Sequence, residues 1–183
     1  MSLPPLARLL PFLLGVLLTG CGSAAAAPVP APAPSSSAPA PAASFGGTDL
    51  AWIELVLAMD EQVLPLLDIV PAHAHGASVQ DLASRVRTVT LAELPELRAL
   101  HDEAGLPAEN PHEGMPMPGM VTARDVTAMA ALSGEEFDTA VTAKLREGIE
   151  QAADLARSEG LYGAEPRTKA LAARILTSRT GLS

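Results

Sequence analysis

The sequence predicts an all-α fold, in which four long helices form an antiparallel bundle and a short helix connects its two halves. Apolar residues recur every three or four positions in four long segments, which is the spacing of one helix face. Nowhere do apolar and polar residues alternate between turn signals, as they would in a strand. The segments also align as two copies of one helical hairpin, and such hairpins bury their apolar stripes by packing as a bundle.

The first 45 residues precede the predicted domain. Residues 1–20 resemble a lipoprotein signal peptide, with a positive charge at Arg8 and then an apolar run too short for a permanent membrane span. The run ends in Leu18-Thr-Gly-Cys21, which resembles the bacterial lipobox, so we expect cleavage before Cys21 and a diacylglyceryl group on its sulfur. The alternative for Cys21 is a free thiol or an intermolecular disulfide. Residues 21–45 are rich in Pro, Ala and Ser and are expected to form a disordered tether.

The predicted domain, residues 46–183, is strongly acidic. It carries 11 basic and 21 acidic residues, a formal charge of −10. This charge argues against nucleic acid and against adhesion to anionic lipid headgroups, and it favours a cationic partner. The sequence has no phosphate-binding glycine loop, no nucleophile motif and no zinc-binding His-Glu-x-x-His helix, so an enzyme is not expected. We expect an exported protein that is anchored to the extracytoplasmic face of the cell membrane through the lipid on Cys21.

Repeat one, residues 48–105, is predicted to form two helices. Thr48 suits the N-cap of the first helix, and Pro71 is expected to end it. Pro95 is expected to kink the second helix or to restart it. Gly105 suits its C-terminal stop.

The linker, residues 106–132, and repeat two, residues 133–183, complete the domain. Thr122 suits the N-cap of the short connecting helix, and Ser133 suits that of the third long helix. The third long helix has the most regular apolar stripe, formed by Phe137, Val141, Leu145, Ile149, Ala152 and Ala156. Pro166 suits the first turn of the last helix.

The two halves align without a gap at a shift of 89 residues. Asp49 then falls on Asp138, and Arg85 falls on Arg174. Single identities are weak evidence in an alanine-rich chain, but the shift stays constant across a whole helical hairpin. The alignment therefore predicts an internal repeat and pseudo-twofold packing of two hairpins.

A family resemblance rests on the linker and on the start of repeat two. Met117-Pro-Gly-Met120, the following Thr122 and Asp125, Gly134, and Phe137-Asp138 resemble the corresponding segments of the bacterial domain of unknown function 305 family. The resemblance extends from about Thr48 onward. It implies a ferritin-like four-helix bundle in which the first helix of each repeat carries a His-His pair and each second helix carries a Gln followed three residues later by a Glu. It also implies secreted lipoproteins associated with metal, especially copper.

This chain departs from the family pattern at the implied metal ligands. The His-His positions hold Met59 and Asp60 in repeat one and Gly148 and Ile149 in repeat two, the Gln positions hold Thr90 and Arg179, and the Glu positions hold Glu93 and Leu182. Met59, Asp60 and Glu93 mix soft and hard ligands, with Glu61 as a further candidate, and match no particular metal. The alternative is that Met59 and Ile149 pack in the core and that Asp60 is solvated or bonded to Arg85 or another base.

The linker holds another candidate metal site. His112, Met115, Met117 and Met120 bring one imidazole and three thioethers within nine residues, and soft thioethers favour Cu(I). The alternative is a proline-stiffened connector whose methionines fill gaps in the core. The remaining histidines, His73, His75 and His101, are expected in loops or at helix ends as solvated side chains.

Two functions therefore remain open from the sequence. The first is a copper-associated binding protein that uses residues 112–120. The second is a metal-free interaction or structural module that meets another envelope protein through its acidic face or the groove of the bundle.

Overall fold

The computed structural model describes residues 44–182, which form five α-helices. These helices are α1 (Gly47–His73), α2 (Ala77–Glu103), α3 (Ala123–Ala130), α4 (Gly134–Tyr162) and α5 (Pro166–Thr180). No strand occurs between residues 44 and 182, so the predicted all-α fold is confirmed. Residues 1–43, with the proposed signal peptide and Cys21, and Ser183 lie outside the described residues. None of the described helices is long and apolar enough to cross a membrane.

Some helix boundaries differ from the sequence prediction. The N-cap of α1 is Gly46, not Thr48, because the Asp49 carboxylate reaches back to the Gly46 N–H at 2.6 Å. Pro71 lies inside the last turn of α1, which continues to His73. A proline so close to a C-terminus deprives the helix of only one of its last hydrogen bonds.

The other boundaries mostly follow the prediction. Helix α2 runs through Pro95 without restarting and ends before Gly105, whose φ of +66° is the left-handed conformation of a helix stop. Thr122 caps α3 in a reciprocal contact with Asp125. Ser133 is the N-cap of α4 but makes no side-chain capping bond, and α5 begins at Pro166.

The core consists mainly of two apolar clusters, which take opposite halves of α1, α2 and α4, whereas the buried apolar residues of α5 all belong to one of them. Helices α1 and α2 pack as one hairpin, α4 and α5 pack as the other, and α1 also packs on α4. The predicted stripe on α4 is buried throughout. Along α1, one cluster takes residues 52–57 and the other begins at Leu66. Met59 and Asp60 therefore fall at the middle of the bundle, between these two clusters.

Two aspartates join the hairpins in equivalent ways. Asp138 of α4 accepts the N–H groups of His75 and Gly76, just before α2, at 3.1 and 2.7 Å. Asp49 of α1 accepts the N–H groups of Ala164–Glu165, just before α5, each at 3.0 Å. The aspartates and their partners are related by the same shift of 89 residues. The two hairpins thus clasp each other symmetrically, as the pseudo-twofold alignment predicts.

Candidate functional site

The implied ligand positions converge at the middle of the bundle. They surround a cavity of about 30 Å³, which has room for about one water molecule. The cavity is lined by Met59 and Asp60 of α1, Thr90 of α2, Gly148 and Ile149 of α4 and Arg179 of α5. Glu93 of α2 adjoins it through a contact with Arg179. Both repeats therefore contribute to a single site.

Arg179 brings a positive charge into this site. Its side chain is buried, and Nη2 and Nη1 donate to the two oxygens of Glu93 at 2.7 and 3.1 Å. Nη2 also lies 3.3 Å from Oδ1 of Asp60. Ser178 Oγ donates to Glu93 Oε1 at 3.0 Å. Because the planar guanidinium matches both oxygens of a carboxylate, the buried charge of Glu93 is compensated inside the protein.

Asp60 lies beside this pair, and its Oδ2 has no hydrogen-bond partner among residues 44–182. Burial raises the pKa of Asp60 to about 8; Arg179 lowers it and Glu93 raises it, each to a smaller extent. Burial therefore favours the neutral form of Asp60, in which one guanidinium balances one carboxylate. Of the alternatives predicted for Asp60, solvation and a bond to Arg85 are wrong, whereas contact with another base is confirmed. Arg85 instead donates to the Gly181 carbonyl, and the base beside Asp60 is Arg179.

The side chains at the bundle centre do not fit a metal ion. Met59 offers a soft thioether, whereas Asp60 and Glu93 offer hard oxygens, and those of Glu93 already accept hydrogen bonds. An entering cation would also meet a guanidinium. In the part of the chain that the structure describes, no group of three or more His, Cys, Asp or Glu side chains is placed to hold a metal. Met59 and Ile149 are buried as core residues.

The candidate metal ligands of the linker lie in different environments. Met120 is buried and Met117 half-buried, and both belong to a small cluster with Met59. Met115 is 45 % exposed. His112 is half-buried, and its Nδ1 is a buried atom without a hydrogen-bond partner. The structure thus groups two linker methionines with Met59, a residue of the first repeat.

Gln62 of α1 fixes the linker in place. Its Nε2 donates to Sδ of Met120 at 3.3 Å, and its Oε1 accepts the Gly114 N–H at 3.0 Å. Gly119 has a φ of +77°, and a Cβ there would lie 2.6 Å from the Cβ of Gln151 on α4. Gly119 therefore lets the linker backbone approach α4 closely. The alignment pairs Gln62 with Gln151, but it did not indicate that both face the linker.

A groove of about 550 Å³ lies between α1, the linker and α3. Its apolar walls include Ala58, Pro65, Val121 and Val126. Glu61 and Glu113 add two carboxylates to the lining. Gln62 and Asn110 also line the groove, but their amides already bind other groups of the protein. The groove thus offers a ligand apolar surface and negative charge, in a volume typical of ligand sites.

The remaining histidines are not all solvated. His101 lies in the last turn of α2 and is only 8 % exposed, so its prediction as a solvated side chain is wrong. The ring of His73 stacks on Phe137 with centroids 5.2 Å apart. His75 is exposed in the loop before α2. The burial of His101 was missed because only apolar residues defined the helical stripes.

Similarity to known proteins extends over the whole bundle. The family model described as "Domain of unknown function (DUF305)" matches residues 49–181. No curated protein matches the chain.

Two crystal structures share the fold. The DUF305 fragment from Deinococcus radiodurans has a TM-score of 0.65 at 17 % sequence identity, covering 75 % of this chain and 91 % of that one. A DUF305 protein from Streptomyces coelicolor, whose secretion is itself a prediction, has a TM-score of 0.63 at 18 % identity, covering 73 % and 86 %. Identities this low show the fold alone, whereas the family model covers most of the chain. This protein therefore belongs to the DUF305 family, whose domains have no assigned function.

Proposed function

We propose that this chain is an exported, lipid-anchored protein that acts as a metal-free binding module of the cell envelope. Export is supported by the signal-like residues 1–20 and by the similarity to a Streptomyces coelicolor protein that is predicted to be secreted. Lipidation of Cys21 is supported by the lipobox-like sequence before it. The same tether would keep the domain at the membrane surface, where its partner is another envelope protein.

One observation carries the metal-free part of the proposal. Arg179 stands against Glu93 and Asp60 at the point where the family resemblance places metal ligands. A buried carboxylate needs a counter-charge, and a metal ion or a guanidinium can supply it. Here the counter-charge is the guanidinium of Arg179, so the bundle centre needs no metal in order to fold. It also has no set of free ligands that a metal could bind.

The metal content of protein isolated from its native membrane tests this proposal. We expect no stoichiometric transition metal at the bundle centre. Arg179→Gln is the informative comparison, because it removes the guanidinium and introduces the residue type that the family resemblance implies. Stoichiometric metal in the wild type that is lost in both Asp60→Asn and Glu93→Gln would overturn the proposal.

The groove between α1, the linker and α3 is the proposed partner site. Glu61 and Glu113, together with the apolar walls, suit a segment with a basic side chain between apolar residues. A photoreactive residue at Thr127, which lines the groove, is expected to crosslink a partner in native membranes. The same residue at Leu91, an exposed position on α2, is the control. Crosslinking at Leu91 alone would exclude the groove.

A second candidate function is binding of a soft metal by the linker. It is favoured by the unpartnered Nδ1 of His112 and by the cluster that joins Met117 and Met120 to Met59. Competition with a Cu(I) chelator tests it. Met117→Leu and Met120→Leu should each weaken uptake, whereas Met129→Leu, which packs against the core cluster that contains Leu66, should not. Absence of uptake by the wild type would eliminate this function.

A further inference from the structure

The two hairpins are clasped by equivalent aspartates, but only one of them has a second buried carboxyl beside it. Asp138 clasps the start of α2, and Val70 occupies the position that aligns with Glu159 at the shift of 89 residues. Asp49 clasps the start of α5, and Glu159 itself is fully buried at that end. The second repeat thus places an ionisable group where the first repeat has an apolar side chain.

Glu159 has no donor for its carboxyl oxygens. Both oxygens are buried, and no N–H or O–H group within residues 44–182 donates a hydrogen bond to either of them. The carboxyl lies directly beneath Gly163, where a Cβ would come 2.0 Å from Oε1. An ionised carboxylate in such a place is strongly disfavoured, because nothing replaces the water that it loses. Glu159 is therefore held as an acid, and its proton needs an acceptor.

The neighbouring Asp49 carboxylate supplies that acceptor. Asp49 accepts N–H groups from Gly46 at 2.6 Å and from Ala164 and Glu165 at 3.0 Å, which stabilise its ionised form. Burial alone would raise the pKa of Asp49, but these bonds and one from Glu159 outweigh it and lower that pKa. A hydrogen bond between the two carboxyls therefore requires the proton to reside on Glu159.

The surrounding charges agree with this placement of the proton. Burial raises the pKa of Glu159 to about 8, and the hydrogen bond and charge of Asp49 add to the rise. From α5, Lys169 lowers the pKa of Glu159 and Glu165 raises it, both to a smaller extent. Glu165 is itself occupied as the N-cap of α5, where it accepts the Thr168 N–H at 2.7 Å.

We propose that Glu159 and Asp49 share one proton, and that this proton latches the turn between α4 and α5 onto the start of α1. Loss of the proton leaves two adjacent buried carboxylates, which repel each other and draw water into the junction. Ala164, Glu165 and the first turn of α1 are the parts that separate. The latch is therefore a proton-sensitive device at the point where the chain enters the domain.

Trp52 is a built-in reporter of this latch. It is the only tryptophan of the chain, it is 4 % exposed, and it lines the same shallow cavity as Glu159. Its emission and the exchange protection of the Ala164 and Glu165 amides are measured from pH ~6 to ~9, across the pKa of about 8. We expect the emission to shift to the red as pH rises. We also expect the equilibrium constant for opening of the latch to grow up to roughly 100-fold over this range, because Glu159 has its ordinary pKa of 4.5 in the open state.

The opposite end of the bundle is the internal control. Glu159→Val reproduces the composition of that end, and Glu159→Gln keeps the shape of the side chain without an ionisable proton. Both variants should lose the pH-dependent step, and the amides of His75 and Gly76 should show no step in the wild type. The proposal would be overturned if the pH-dependent step persisted in either variant or appeared equally at both ends of the bundle. It would also be overturned if the wild type showed no step. If one variant does not fold, the other variant and the comparison of the two ends of the wild type still test the proposal.

Discussion

Replacing Arg179 by methionine tests whether the guanidinium supports the bundle centre. The change keeps an unbranched side chain but leaves the Glu93 carboxylate buried without its two donors at 2.7 and 3.1 Å. Each hydrogen bond to a charged group contributes about 1.5–3 kcal/mol, and removal of one partner of a buried ion pair costs about 3–5 kcal/mol. We therefore expect the free energy of unfolding to fall by about 3–5 kcal/mol, which lowers Tm by about 10–15 °C for a domain of this size.

Urea unfolding at pH 7 measures this loss of stability. Two further variants serve as controls for its cause. Glu93→Leu combined with Arg179→Met should recover most of the stability, because apolar side chains can replace a buried ion pair at little cost. Leu182, which aligns with Glu93, shows that the equivalent position of repeat two holds a buried leucine. Arg98→Met, which breaks the exposed ion pair with Glu61, should cost less than about 1 kcal/mol. A cost below about 1 kcal/mol for Arg179→Met would refute the reasoning.

Four other changes test separate parts of the structure by urea unfolding. Gly119→Ala should cost about 2–4 kcal/mol, because a Cβ at φ +77° would lie 2.6 Å from Gln151. Gly114→Ala, at φ +70° with open space around it, should cost only about 1 kcal/mol. Asp138→Ala should cost about 1–3 kcal/mol, because it leaves the His75 and Gly76 N–H groups without their acceptor. Asp60→Asn should reduce the loss of stability with rising pH. In the folded wild type the pKa of Asp60 is raised from 3.8 to about 8. The contribution of protonated Asp60 to the free energy of unfolding is therefore full below pH 3.8 and is lost as pH rises through 8.

Specific outcomes would contradict each of these expectations. Equal costs for Gly119→Ala and Gly114→Ala would show that the linker does not rest closely on α4. An unchanged stability in Asp138→Ala would mean that water satisfies the start of α2 equally well. A pH dependence that is the same in Asp60→Asn and the wild type would show that Asp60 is ionised in the folded protein.

Much of the fold could be predicted because it depends on local signals. The apolar stripe of α4, the cap at Thr122 and the stop at Gly105 are each specified within a few residues. The start of α1 was misplaced because Gly46 and Thr48 are both acceptable N-caps. The choice between them is made by Asp49, whose carboxylate reaches back to Gly46 while also holding Ala164, a contact between distant parts of the chain.

The candidate site was located by the family resemblance together with the alignment of the repeats, but its chemistry was not. The shift of 89 residues brings the correct positions together, because the two hairpins pack with pseudo-twofold symmetry. The partner of Asp60 was not identified from the sequence, because Arg85 and Arg179 both lie on second helices of a hairpin. The alignment already separates them: Arg85 pairs with the exposed Arg174, whereas Arg179 pairs with the buried Thr90. Comparison of each arginine with the residue that aligns with it in the other repeat would have identified Arg179 as the buried one.

The crossed aspartate contacts have a consequence for the origin and the folding of the bundle. In each turn, two N–H groups find their acceptor on an aspartate of the other hairpin. A fragment with only one repeat would leave those N–H groups to water, so the halves are expected to fold together and not one after the other. A single-hairpin ancestor would have gained the same contacts only by pairing with an identical copy. The present chain can thus be understood as a homodimer made covalent, in which each copy has since been free to change one side of the old symmetric interface.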